Sequence, residues 1–382
     1  MKLLSICTST TLVALTARST LAFRSGLGST GRLVARHPDC DARRTFLTTT
    51  CWASSNAHPN HAASTTEATT GLSLMELQGL TQTAETAARA AGHIILEAQQ
   101  QATTAHTTDK DVAINTAALK TNVKDIVTLY DKQAQEAVEA IIRQAYPEHA
   151  FLGEEDVAPG AAASAQAMKE ALARSRNNSN NNNNNNTSSS SSSNYLWIVD
   201  PIDGTANFAA GLPLCGVTLA VVYRGTAVAG VIYDPHADEM FTAWRGHGAT
   251  VNGRPMRVGT APLSEAIVNA GCPADPQAFQ ASLRGIAALN TQCRGLRMVA
   301  CSALTLAWIA DGRLTAHFGY DLSSWDLVAG ALLIQEAGGV VTDLDGSPYN
   351  LETRNMLCSN GVVHEPILQV LKQADAVAFA RS

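Results

Sequence analysis

No two of the eight cysteines in this chain form a C-x-x-C pair. Cys7, Cys40 and Cys51 fall within the first 66 residues, and Cys215, Cys272, Cys293, Cys301 and Cys358 are scattered along the rest. Such spacing supports neither a zinc site nor a disulfide framework. The five downstream cysteines read as reduced thiols behaving as small hydrophobes. Beyond the amino-terminal segment there is no run of about 18 apolar residues, so no membrane span is expected. Positive charge is short as well. Residues 1–66 hold seven Lys or Arg against two acids, and the net charge of −6 therefore leaves −11 for the remainder. An acidic body lacks the electrostatic footprint of a nucleic-acid binder and suits sites that hold cations. No internal repeat occurs.

The amino-terminal segment has the composition of an address. Lys2 precedes a short apolar stretch, Leu3 to Leu15, and small residues lead to Ala22-Phe23. A tract rich in Arg, Ser and Thr and poor in acids follows, to about residue 60. A signal-like part followed by a transit-like part resembles the two-part leaders of plastid proteins, with a mitochondrial or secreted destination as alternatives. The expected organisation is a disordered leader over 1–66 and one catalytic domain over 67–382.

Within that domain, Leu77, Leu80, Ala84, Ala87, Ala91 and Ile94 recur every three or four residues, which predicts a helix from Leu74 to Gln101 with His93 beside its stripe. A second helix is expected from Asp131, with Ala134, Val138, Ile141 and Ala145 on one face and Pro147 as its stop. Residues 160–194 include near-homopolymers of Asn and Ser and read as a disordered insertion. Beyond it, Leu196–Val199 is an apolar strand, Val217–Tyr223 and Thr226–Tyr233 form a hairpin, and Asn252-Gly253 signals another. A helix from Trp325 stops at Gly338-Gly339, strands follow at Val340–Thr342 and Met356–Ser359, and a last helix starts near His364. This irregular alternation indicates mixed sheets layered with helices.

The chemistry-bearing signal is Asp200-Pro201-Ile202-Asp203-Gly204-Thr205, at the end of an apolar strand. Pro201 and Gly204 force a tight turn that brings two carboxylates together. Like charges so placed protonate unless a cation neutralises them, and Mg²⁺ takes such oxygen ligands while keeping waters that a phosphate can replace. A helix starting at Thr205 would offer N–H groups of Gly204 and Thr205 to an anion. Two further acidic groups, Gly153-Glu154-Glu155-Asp156 and Trp325-Asp326, could join it. Taken singly, each has an ordinary explanation: a local cap, a solvated turn, or a helix-dipole partner.

Together, these three groups, with Gly330 and Glu336-Ala337-Gly338-Gly339, resemble the paired signatures of the inositol monophosphatase family. Lys120, Asp125-Ile126-Val127-Thr128 and Asp131 resemble the segment that precedes them. The similarity runs from about residue 74 to 375. It implies a layered αβαβα fold with mixed β-sheets, usually a homodimer, and Mg²⁺-dependent hydrolysis of a small phosphate monoester with two or three ions. It implies Glu154, Asp200, the Ile202 carbonyl, Asp203 and Asp326 as metal ligands, with Glu155 and Lys120 further out. Thr205 and Asp131, with Glu154, would activate a water. Gly204 and Thr205 would hold the phosphate, and Asp203, Ser302 and Asp326 would contact substrate.

The resemblance fails at the substrate end. Inositol-hydrolysing members carry a Glu seven residues before the Asp of the Trp-Asp motif, and here that position is Gly319, with Asp321 as the nearest replacement. Where the family usually has Gly-Ser/Thr-Ala, this chain has Ala300-Cys301-Ser302. Inositol 1-phosphate is the first expectation for substrate, with histidinol phosphate and L-galactose 1-phosphate as alternatives. A non-catalytic binding protein on the same scaffold is the reading from another class.

Overall fold

The apolar repeat that begins at Leu74 forms α1 (Leu74–Thr104) in the computed structural model, which describes residues 71–104, 118–119, 126–127, 129–176 and 194–377. The expected leader, Lys120 and the Asn/Ser run at 177–193 lie outside the described residues. His93 is exposed and pairs with Glu97 at 3.1 Å, so it takes no part in packing. The second helix, α2 (Leu129–Ala145), buries Asp131, Ala134, Gln135, Val138 and Ile142. Its inward stripe runs through Ala134, Val138 and Ile142, with Ile141 partly buried against the same core, while Ala145, expected on that face, is exposed. Asp131 and Gln135 replace apolar residues on that stripe because they serve the site below.

One expectation is overturned. Residues 161–176, read as the start of a disordered insertion, form α3 (Ala161–Arg176). Ala is the strongest helix former, and this stretch is Ala-rich. Met168 and Leu172 give it an apolar anchor against the strands.

Seven strands make the larger sheet, in order β3-β4-β5-β6-β7-β8-β9: β3 (Ala150–Gly153), β4 (Tyr195–Asp203), β5 (Gly216–Tyr223), β6 (Thr226–Asp234), β7 (Glu239–Trp244), β8 (Gly248–Val251) and β9 (Arg254–Pro255). β3 runs parallel to β4 and the other neighbours are antiparallel. A smaller sheet contains β10 (Ile267–Ala270), β11 (Gly295–Arg297), β12 (Ala316–Gly319), β13 (Val340–Asp343) and β14 (Met356–Ser359), in order β11-β10-β12-β14-β13. A two-residue antiparallel pair, β1 (Ala118–Leu119) and β2 (Ile126–Val127), forms a third sheet, and β2 touches the helical turn Thr205–Ala209.

β4 shows why a continuous apolar run was needed. Leu196 and Ile198 join the core on one side of the sheet, and Trp197 and Val199 join the core on the other. Both faces of the strand are buried, so no polar alternation survives. α1 and α2 cover one face. The other carries α3, α6 (Ser302–Ala310) and α7 (Ser324–Glu336), and α6 and α7 also pack on the smaller sheet. α5 (Pro276–Leu289) and α8 (His364–Gln373) form a separate core on its far side, and α4 (Thr205–Ala209) is a single turn after β4. The layers are αβαβα, as the resemblance implied.

α7 lies between two sheets and buries ten residues, Ser324, Trp325 and Leu327 to Ile334. That placement explains why it is apolar all round. A Cβ at Gly230 on β6 would stand 2.9 Å from the Ala329 carbonyl, so the close approach of helix to sheet requires glycine there. Among the described residues, no helix is long and apolar enough to cross a membrane.

Candidate metal centre and substrate cleft

Strict alternation along β4 would send Asp200 and Asp203 to opposite faces, because they stand three residues apart. The strand avoids this with a register shift against β5: Asp200 pairs with Thr218, the register breaks, and Asp203 pairs with Gly216. Pro201, which has no N–H to contribute to a ladder, occupies the break. The Ile202 N–H donates to Asp200 Oδ1 at 3.0 Å and locks the bulge. Gly204 then takes φ 87°, ψ 37°. A Cβ there would strike the Leu214 carbonyl at 2.8 Å, so both the turn and the crowding demand glycine.

Two other elements bring carboxylates to the same point. Gly153 pairs with Val199 in the parallel β3–β4 ladder, so Glu154 emerges beside Asp200. Its side chain hydrogen-bonds Asp200. Asp326 is the third residue of α7 and closes a capping box: its Oδ2 accepts the Ser323 N–H at 2.7 Å. Ligand oxygens of Asp200, Asp203 and Asp326 lie within 4.8 Å of one another. Asp326 thus caps a helix and faces the cluster at once.

The electrostatics of this cluster are unfavourable without a cation. Burial, then the charges of Glu154, Asp203 and Asp326, pushes the Asp200 carboxyl well above the usual range. Asp326 is raised well above it by burial and then by Asp203 and Glu154. Asp203 rises only to about 6, because burial is opposed by donors from the start of α6. The Ala303 N–H and the Cys301 thiol both donate to Asp203 Oδ2. Burial and the Asp203 charge hold that thiol protonated, so Cys301 acts as a donor and not as a nucleophile. Hard oxygen donors, crowded and short of positive charge, fit a divalent ion such as Mg²⁺.

The Thr205 hydroxyl lies 3.1 Å from both Asp131 Oδ1 and the Ile202 carbonyl. Glu155 is held by its N–H to Gln135 Oε1 at 2.9 Å. A cavity of about 280 Å³ opens over the cluster, lined by Glu154, Asp203, Gly204, Thr205, Ser302 and Asp326 on the acidic side. Asn269, His317 and Asp321 line its other side. Glu154, Asp203, Gly204, Thr205, Ser302 and Asp326 thus share one cleft, Asp200 adjoins it through Asp203 and Asp326, and Asp131 and the Ile202 carbonyl adjoin it through Thr205; Lys120 is not among the described residues. Asp321 is engaged by Arg354, 3.2 Å from Asp321 Oδ1, at φ 53° beyond the end of β12. It lines the same cavity, two residues beyond position 319. Ala300 keeps the left-handed backbone, φ 54°, at a position where the family pattern has glycine.

Sequence reasoning missed several participants. The donors of Cys301 and Ala303 to Asp203 carried no motif. Arg354 had no signal either, since its partner is distant in the chain. The capping box was legible in Ser323-x-x-Asp326, a pattern with a known mechanism.

The model of the inositol monophosphatase family matches residues 76–376. A Pseudomonas aeruginosa protein named Nus factor SuhB is 33% identical over 300 residues, covering 78% of this chain and 97% of that protein. An inositol-1-monophosphatase of Mesorhizobium japonicum is 40% identical over 182 residues, 46% of this chain and 67% of the relative. The crystal structure of the extragenic suppressor protein suhB from Bartonella henselae superposes with a TM-score of 0.63 at 28% identity, over 77% of this chain and 98% of that one.

Proposed function

The chain belongs to the inositol monophosphatase family, and on that premise we propose that it hydrolyses a small phosphate monoester with Mg²⁺, inositol 1-phosphate first among the candidates. One observation carries the reading: Asp200, Asp203 and Asp326 meet within 4.8 Å of one another, and Asp203 and Asp326 line a cavity together with Glu154. Glu154, Asp200, the Ile202 carbonyl, Asp203 and Asp326 would hold the metal. When bound, it supplies charge neutralisation and Lewis acidity toward the phosphate oxygens.

The chain's own groups do the positioning. Asp131 Oδ1 accepts the Thr205 hydroxyl proton, which leaves the Thr205 oxygen lone pairs free to hold an attacking water by one of its hydrogens. The donors from Cys301 and Ala303 fix Asp203 in one rotamer before substrate arrives. No covalent intermediate on the protein is needed: water attacks phosphorus, the alcohol leaves with a proton, and inorganic phosphate remains.

Histidinol phosphate and L-galactose 1-phosphate are the alternative substrates. A second reading, a binding protein on this scaffold, draws on the relative named Nus factor SuhB; the completeness of the acidic cluster weighs against it. A test is phosphate release by the purified full chain from these three esters with Mg²⁺ and with EDTA. Mg²⁺-dependent release from inositol 1-phosphate is expected. A tenfold preference for histidinol phosphate would replace the first substrate, and no Mg²⁺-dependent release from any ester would overturn the reading. We also propose, from the leader alone, import into a plastid; secretion of a full-length reporter fusion would refute it.

A further inference from the structure

Arg245 opens the turn between β7 and β8, and its main-chain N–H donates to the Val228 carbonyl at 3.0 Å. Its side chain is half-buried, with Nε donating to the Ala227 carbonyl at 2.6 Å. Other partly buried arginines are paired: Arg313 with Glu239 at 2.6 Å, and Arg354 with Asp321 at 3.2 Å. Among the described residues, no carboxylate forms an ion pair with Arg245, and the rest of its N–H donors have no acceptor. Glu336 is the acid whose charge acts on it. Both oxygens of Glu336 are engaged by the turn itself, accepting the Gly246 N–H at 2.8 Å and the Gly248 N–H at 2.9 Å. The unpaired nitrogens of Arg245 are reachable by solvent and not sealed in the core. Arg245 lines a groove of about 830 Å³ between Leu172 of α3 and Val328 and Leu332 of α7. That groove shares no residue with the cavity over the acidic cluster.

A charge taken out of water costs free energy unless a partner offsets the loss. Burial pushes the Arg245 guanidinium below the ordinary arginine range, against the charges of Glu336 and Tyr349. A planar fork with N–H groups to spare takes a carboxylate or a phosphate through two parallel hydrogen bonds. Small-molecule sites occupy about 300–1,000 Å³, and the groove falls in that range. We infer that this groove binds a small organic anion, whose carboxylate or phosphate head is held by the Arg245 fork. Asp343 and Glu352 also line the groove, so the body of the ligand carries hydroxyls and no second acid. Val328 and Leu332 stand on the helix that bears Asp326, so the occupant rests against the same helix as the metal centre, at a separate place.

The test is calorimetric titration of the full chain in EDTA, with two probes that share a hydroxylated body and differ in the head. Gluconate presents a carboxylate, and glycerol 3-phosphate presents a phosphate. Saturable binding of at least one is expected, and the head that binds names the source. Arg245→Met should weaken that binding about tenfold or more. Arg245→Lys keeps the charge without the fork and should fall between. If the Met variant does not fold, Thr226→Trp carries the test: position 226 is exposed on the lip of the groove, and the indole should block entry while the guanidinium stays. Binding of neither probe to the wild-type chain would overturn the inference, as would unchanged affinity in a folded Met or Trp variant. Metal-free conditions keep the result independent of the phosphatase reading above.

Discussion

The acidic side of the cleft and its opposite wall are held in different ways. Asp200, Asp203 and Asp326 each accept at least one main-chain N–H, from Ile202, Ala303 and Ser323 respectively. Their positions are over-determined by a bulge, a helix start and a capping box. Asn269, His317 and Asp321 line the other side, and they are held by side-chain contacts: Asn269 by the His317 ring and the Val299 N–H, and Asp321 by Arg354. One wall is rigid because the reaction is the same for every ester. The other is held by side-chain contacts between segments distant in the chain.

The most severe way to break this contrast is Asp200→Asn. Turnover should fall by roughly 1,000-fold or more, measured as Mg²⁺-dependent phosphate release. The far-ultraviolet circular dichroism should stay unchanged, since the substitution removes a repelling charge from a buried cluster. Next comes Thr205→Val, which keeps shape and removes the hydroxyl. Its expected cost is about 100-fold in kcat with KM nearly constant, read from steady-state kinetics.

A pH experiment separates the walls by charge. Without metal, Asp203 titrates near 6 in the folded chain, above its unfolded value. The folded state then binds more protons between those values, so stability is present at acid pH and is lost as pH rises through about 6. Asp200 and Asp326, also raised by burial and by the neighbouring carboxylates, act in the same direction. Melting in EDTA should therefore be lower at pH 8 than at pH 5, and Mg²⁺ should reverse most of the difference at pH 8. A melting temperature that rises with pH in EDTA would contradict the burial of the cluster. The smallest effect belongs to the backbone beside the cluster: Ala300→Gly should stabilise the chain by about 1 kcal/mol by relieving its positive φ, read from urea melts.

These contrasts also explain what the sequence could announce. Asp200 to Thr205 is contiguous, and its chemistry depends on local turn-making residues, so the hexapeptide was legible. Asp326 was legible because its helix is long, apolar and ended by glycines. The bulge that turns Asp200 and Asp203 the same way was not, because it depends on pairing with β5. The Asp321–Arg354 ion pair joins residues from separate loops and leaves no local pattern. α3 was misread because its helical Ala-rich stretch merges into a polar run.

α7 carries Asp326 on its first turn and is clamped by both sheets over the rest of its length. The ligand is thereby tied to a helix that packs against both sheets. Heating cannot release Asp326 gradually, as it could from a fraying loop. Loss of catalysis and loss of tertiary structure should share a single transition temperature, so the chain would have no folded but idle form on its way to denaturation.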